Sequence, residues 1–121
     1  MAANKIIRIG PTSLGTSAAN LANPPTLTGG VGSASTATYM ILRHIRIVNR
    51  TGSAATASLF VGATGGSAGG TEFMSAAQSI AANSPIDWYG MLRLDSADYL
   101  TGLASAANAL TFEAEGEIGV A

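Results

Sequence analysis

Residues 110–120 read LTFEAEGEIGV. Leu110, Phe112, Ala114, Gly116, Ile118 and Val120 fall on one side of a period-two pattern, and Thr111, Glu113, Glu115 and Glu117 on the other. Successive side chains of a strand point to opposite faces, so the run predicts a terminal strand that is half buried, with its glutamate face in water. Like charges at this spacing also discourage pairing with a wrong edge.

The same period recurs upstream. TYMILRHIRIVNR (residues 38–50) is dense in β-branched and large apolar residues. It places Ile41, Ile45 and Ile47 on one side, and Met40, Leu42, His44, Arg46 and Val48 on the other, which predicts a long strand covered on one face and partly on the other. ATASLFVGA (55–63) alternates Ala57, Leu59 and Val61 against Thr56, Ser58 and Phe60. Thr51-Gly52-Ser53 between them is hairpin chemistry, so the two strands are expected to pair antiparallel. Phe73-Met74, Gln78–Ala82 and Ile86–Leu94 read as three short strands, with Asn83-Ser84-Pro85 turning between the last two. In residues 96–110, Gly102 and the polar cluster Ser105–Asn108 argue against a helix and for a brief strand, Tyr99–Leu103, followed by a turn. Seven or so short strands without a long amphipathic helix predict an all-β fold, an antiparallel β-sandwich of jelly-roll or immunoglobulin-like type.

The first third has a different texture. Residues 10–37 are rich in Gly, Ser, Thr, Ala and Asn around the pair Pro24-Pro25, a composition that buries little apolar area and favours an extended, polyproline-like path. Residues 1–37 are therefore expected to form an extended N-terminal arm, and residues 38–121 the sandwich domain. Within the arm, KIIRI (Lys5, Ile6, Ile7, Arg8, Ile9) is the one strand-like segment and the candidate to dock on a sheet edge of an adjacent chain.

Composition removes several function classes. Six Lys/Arg against seven Asp/Glu, spread without a patch, offer no basic stripe for nucleic acid. No stretch approaches the roughly 20 apolar residues of a membrane helix, and MAANKIIRIG lacks an apolar signal core, so a soluble chain made in the cytoplasm is expected. With no cysteine there is neither a disulfide framework nor a thiolate metal site. Only 11% charged residues beside 47% hydrophobic ones predicts that part of the surface is covered by a partner.

Individual motifs carry little chemistry. The glycine run VGATGGSAGG (61–70) is followed by no lysine and no helix, so it is not a phosphate loop. It contains a Gly-x-Ser-x-Gly match, but the sole histidine, His44, lies mid-strand, and a serine nucleophile needs a strand-to-helix elbow with a nearby base. A mobile loop between strands is the reading. His44 by itself makes no metal site, and no cofactor is called for. Asp95 and Asp98 bracket a turn. Trp88 and Tyr89 are adjacent, so one should face the core and the other should stand outside as a contact anchor. Asn49-Arg50-Thr51 matches a glycosylation sequon by pattern alone.

The order IRIVNRTGSAATASLFVGATGGSAGGTEF, then QSIAANSPIDWYG, then YLTGLASAANALTFEAEGEIGV resembles small β-sandwich virion proteins of tailed bacteriophages across about residues 38–121. The resemblance implies a non-enzymatic structural role, foremost a capsid decoration (cement) protein that binds the major capsid protein on the outside of the head. It also implies a homo-oligomer, commonly a trimer, located in the virion. The alternative is a tail or fibre domain with an adhesive, carbohydrate-binding role. Partner contacts are expected from Lys5, Ile6, Ile7, Arg8 and Ile9, from Pro24 and Pro25, and from Trp88 or Tyr89.

Overall fold

The computed structural model describes residues 5–26, 28–29, 35–62 and 70–119. The strands are β1 (Lys5–Ser13), β2 (Ala19–Ala22), β3 (Thr28–Gly29), β4 (Ser35–Thr36), β5 (Tyr39–Asn49), β6 (Ala55–Gly62), β7 (Glu72–Ile80), β8 (Pro85–Asp95), β9 (Tyr99–Ala104) and β10 (Leu110–Gly119). A single 3₁₀ turn, Pro24–Thr26, follows β2. One sheet has the order β1-β10-β5-β8 and the other β2-β9-β6-β7, while β3 and β4 form a small ribbon of their own.

Apart from that ribbon, the pairing is nested. The first strand pairs with the last (β1 with β10), then β2 with β9, β5 with β8, and β6 with β7 at the tip, all antiparallel. Two further ladders, β10 with β5 and β6 with β9, bind the folded ribbon into two four-stranded layers. Eight strands wound this way make a jelly roll, which decides between the two sandwich types left open by the sequence. Apolar side chains of both layers meet in one core, where Met40, Leu42, Leu94, Leu110, Phe112 and Ile118 have no solvent exposure.

The expected arm contributes β1 and β2 to the two layers of the sandwich. Lys5 lies opposite Ile118 and Ile9 opposite Ala114, so KIIRI docks on β10 of its own chain. Ile7 and Ile9 pack against the core, Leu14 and Ala22 belong to it, and Ala19 and Asn20 pair with β9. Gly10-Pro11, within the expected arm, sits at an irregularity inside β1: Gly10 has φ +82°, and a Cβ there would lie 2.6 Å from the Phe112 carbonyl oxygen. Pro24 is buried and Pro25 exposed in the 3₁₀ turn, in place of an extended path. The boundary at residue 37 falls away because composition undervalued a few apolar residues whose partners lie at the other end of the chain.

Two further expectations change. β5 and β6 do not form a hairpin; they lie in different sheets, and the connection turns the corner between layers. Asn49, with no exposure, organises that corner: its Nδ2 donates to the Ser53 and Ile80 carbonyls, at 2.8 and 3.0 Å, and its Oδ1 accepts from the Thr51 amide and hydroxyl. The sequon asparagine is thus a buried corner residue.

The faces of β5 also differ. Met40 and Leu42 point inward, but so do Ile45 and Ile47, because Arg43 and His44 both point out at a bulge where β10 advances one residue while β5 advances two. Opposite the bulge, the Ile41 carbonyl occupies the space that a side chain on Gly116 would need. Phe73-Met74 and Gln78–Ile80 merge into the single strand β7, while Ala81 and Ala82 fall in the turn that follows it. The glycine run contributes Val61 and Gly62 to the end of β6, and its residues 63–69 lie outside the described residues.

Leu14 separates an arm from an integral strand most cleanly. Leu14→Ala is expected to lower unfolding free energy by about 2–5 kcal/mol in urea titrations, as for a fully buried leucine. A residue on a free arm would cost almost nothing.

Candidate functional site

The alternation that buries one side of β10 exposes the other, and its neighbours follow the same phase. Across the outer face of the β1-β10-β5-β8 sheet, Arg8, Glu115, His44 and Tyr89 form one row, and Glu113, Arg46 and Asp87 the next. All charged side chains of the sequence except Arg50, Glu72 and Asp98 stand on these four strands.

The centre of the face is a cross-strand charge cluster. The Asp87 carboxylate on β8 accepts from Arg46 through two nitrogens, at 2.8 and 3.2 Å, and its Oδ1 lies 2.7 Å from His44 Nε2. The other ring nitrogen of His44, Nδ1, lies 3.2 Å from Glu115 on β10. Tyr89 stacks on the imidazole at 4.6 Å between centroids, 11° from parallel. With both ring nitrogens beside carboxylates, protonated His44 donates to two strands at once. The hydrogen bond to Asp87 is the main cause of a pKa raised from 6.5, opposed by partial burial and assisted by Glu115. Conversely, the hydrogen bonds from Arg46 and His44 hold Asp87 down at about 2, from 3.8.

Those shifts define a pH window. Because His44 is raised, its stabilisation is full below 6.5 and is lost as pH rises through the folded value. Asp87 is depressed, so its contribution is present above 3.8 and disappears as pH falls toward about 2. Between those limits all three strands are tied together.

Around the cluster the face is apolar in places. The large hydrophobic side chains exposed among the described residues are Ile6 (85%), Tyr89 (72%) and Met91 (66%), and all three project from this sheet, on its two edge strands. Ile6, Arg43 and Glu117 border an open depression of about 310 Å³ that reaches His44, and Arg43 lies 3.5 Å from Glu117 there. Large apolar anchors among polar neighbours are how contact surfaces are built.

The sequence candidates divide accordingly. Ile6 and Arg8 stand on the outer face, Ile7 and Ile9 are turned inward, and Lys5 is exposed at the start of β1. Trp88 packs inward, edge-on to Phe73 at 4.9 Å, and Tyr89 is its exposed neighbour, as their adjacency requires. Asp95 and Asp98 close a turn through hydrogen bonds of 2.9 and 3.0 Å. Met91 and the carboxylates around His44 were missed. Asp87, Tyr89, Met91 and Arg93 alternate visibly in PIDWYGMLRLD, but nothing in the sequence tells which strands flank His44. Among the described residues no group of three or more His, Asp or Glu is arranged to hold a metal.

No protein-family model matches the chain, and no curated protein matches it in sequence. Solved structures resemble it at low identity. A chain of Desmodium yellow mottle tymovirus is 13% identical with a TM-score of 0.48, over 99% of this chain and 86% of that one. A chain from an IBDV viral particle is 8% identical at a TM-score of 0.41, and one from infectious bursal disease virus strain Gx is 8% identical at 0.35. The chain spans 31% and 28% of the length of these two.

Since the chain has one histidine, its titration can be read from a single imidazole signal in proton NMR. The midpoint is expected above 6.5, falling toward it in Asp87→Asn, with the decline in stability above that pH absent from His44→Gln. A wild-type midpoint at or below 6.5 contradicts the cluster.

Proposed function

We propose that this chain is a non-enzymatic structural protein of a tailed-bacteriophage virion: a decoration (cement) protein, made in the host cytoplasm, that binds the major capsid protein on the outside of the head. The single observation that carries the reading is the outer face of the β1-β10-β5-β8 sheet, where Ile6, Tyr89 and Met91 stand exposed among mixed charges. Such a face suits a broad protein contact. Its alternating charges supply no basic stripe for phosphates, and its depression is shallow and open rather than a substrate cleft.

The phage assignment rests on the sequence resemblance over residues 38–121. The jelly roll accommodates it, being an architecture used by viral capsid and lectin domains alike, and a fold by itself does not choose between functions. Repeated copies on a lattice would gain avidity from individually weak contacts, so a small face with a few anchors is sufficient. The trimer implied by the resemblance remains part of this reading.

Tyr89 favours a second reading, a tail or fibre domain that binds carbohydrate. One side of its ring rests on His44, and at 72% exposure it is available for stacking on a sugar. Binding to glycans, lost in Tyr89→Ala, would support that reading over the first.

For the capsid reading, Ile6 is the anchor beside the depression. Rebinding of purified protein to particles stripped of it is expected to weaken about tenfold or more in Ile6→Glu, and to be unchanged in Ala19→Glu on the opposite sheet. Equal rebinding by the two variants contradicts the assignment of this face.

A further inference from the structure

β8 is an edge strand of eleven residues, and among the described residues nothing pairs with its outer side. A long unpaired edge is a template for another strand, and proteins normally blunt it with charges, prolines or bulges. β8 carries Pro85, Asp87, Arg93 and Asp95, yet between these guards it exposes Tyr89 and Met91, two of the three large apolar side chains left open among the described residues. Its sequence, PIDWYGMLRLD, is complementary to itself when reversed about Gly90.

We propose that β8 pairs antiparallel with β8 of a second copy of this chain across a two-fold axis at Gly90, joining two four-stranded sheets into one continuous sheet. In that register, on the outer face, Asp87 meets the partner's Arg93 and Tyr89 meets the partner's Met91. On the core side, Ile86 meets the partner's Leu94 and Trp88 meets the partner's Leu92. Opposite charges and aromatic–thioether contacts both favour cross-strand pairing. At the axis, Gly90 has no side chain, and the Trp88 ring lies where its Cβ would be, 2.6 Å away.

Sliding the partner by two residues destroys the match. One direction sets Asp87 against the partner's Asp95; the other sets Asp87 against the partner's Met91 and Arg93 against the partner's Pro85. The charges that guard the edge against arbitrary strands therefore admit one register of one partner. The ladder with β5 is irregular at Gly90 and Met91, but alternation in β8 runs through it, with Trp88 and Leu92 packed on the core and Tyr89 and Met91 exposed. In the isolated chain Arg93 is held by Asp95 at 2.9 Å and lies over the Tyr39 ring; dimerisation turns it to the partner's Asp87. Such a contact is isologous and closed, using each β8 edge once.

In the free protein this two-fold dimer takes the place of the trimer that the resemblance implies, and it leaves Ile6 on β1 open for the capsid contact. Sedimentation equilibrium is expected to show a monomer–dimer system, with Met91→Lys weakening association about tenfold or more and leaving the cooperative unfolding transition in place. Register is read by oxidation, because the chain has no cysteine of its own. A mixture of Tyr89→Cys and Met91→Cys chains should form the mixed disulfide in preference to either homodimer, since directly opposed residues bring Cβ atoms to about 4.5–5.5 Å, near disulfide reach. A monomer at every concentration overturns the proposal. So does a trimer, an oligomer insensitive to Met91→Lys, or a mixture that gives no preferred mixed disulfide.

Discussion

The ladder that β10 makes on both sides is the constraint on which the rest of the structure depends. Its inward residues, among them Phe112, Ala114 and Ile118, are sealed in the core, and its outward glutamates meet basic residues on both neighbours. Arg8 stands opposite Glu115 on one side, while His44 stands opposite Glu115 and Arg46 opposite Glu113 on the other. One alternation therefore supplies a dry side for the sandwich and an ordered charge pattern for its surface. Because β10 also receives β1, the sheet is complete only when the two ends of the described chain meet, with Lys5 opposite Ile118. Such closure carries the loop entropy of nearly the whole sequence, a burden that short-range propensity does not relieve.

What could be read directly was whatever depended on neighbours in sequence. β10 and β8 follow strict alternation and were found close to their true limits, and the Tyr99–Leu103 strand was separated from a helix by Gly102 and the turn after it. What failed depended on partners. KIIRI is strand-like on its own, but its partner edge is β10 of the same chain, about a hundred residues on; the Leu14–Ala22 stretch has little apolar content beyond Leu14 and Leu21, and β9, about eighty residues on, makes its end a strand. The corner at Asn49 carries hairpin-type residues, but whether a turn joins paired strands or crosses between sheets is settled by what the next strand finds. In β5 the faces were assigned from a uniform alternation, and the bulge at Arg43-His44 brings Ile45 and Ile47 to the same side as Met40 and Leu42.

The candidate site was legible in part for the same reason. Adjacency alone required Trp88 and Tyr89 to part, and they do. The grouping of His44, Asp87, Glu115 and Arg46 brings together three strands, a placement no local pattern contains. On this face the charges largely satisfy one another, so they order the surface and resist unspecific association. Among the described residues the large exposed apolar side chains lie toward the two edges of this sheet, Ile6 on β1, Tyr89 and Met91 on β8. That division separates two apolar contact points on one sheet, one beside β1 and one along β8.

Electron cryo-microscopy of the parent particle tests the functional reading most directly. The predicted result is jelly-roll density in a regular array on the outside of the head, with the β1-β10-β5-β8 face and its exposed Ile6 against a capsid subunit. Density confined to the tail or fibres, absence from the particle, or attachment through the β2-β9-β6-β7 sheet would contradict it.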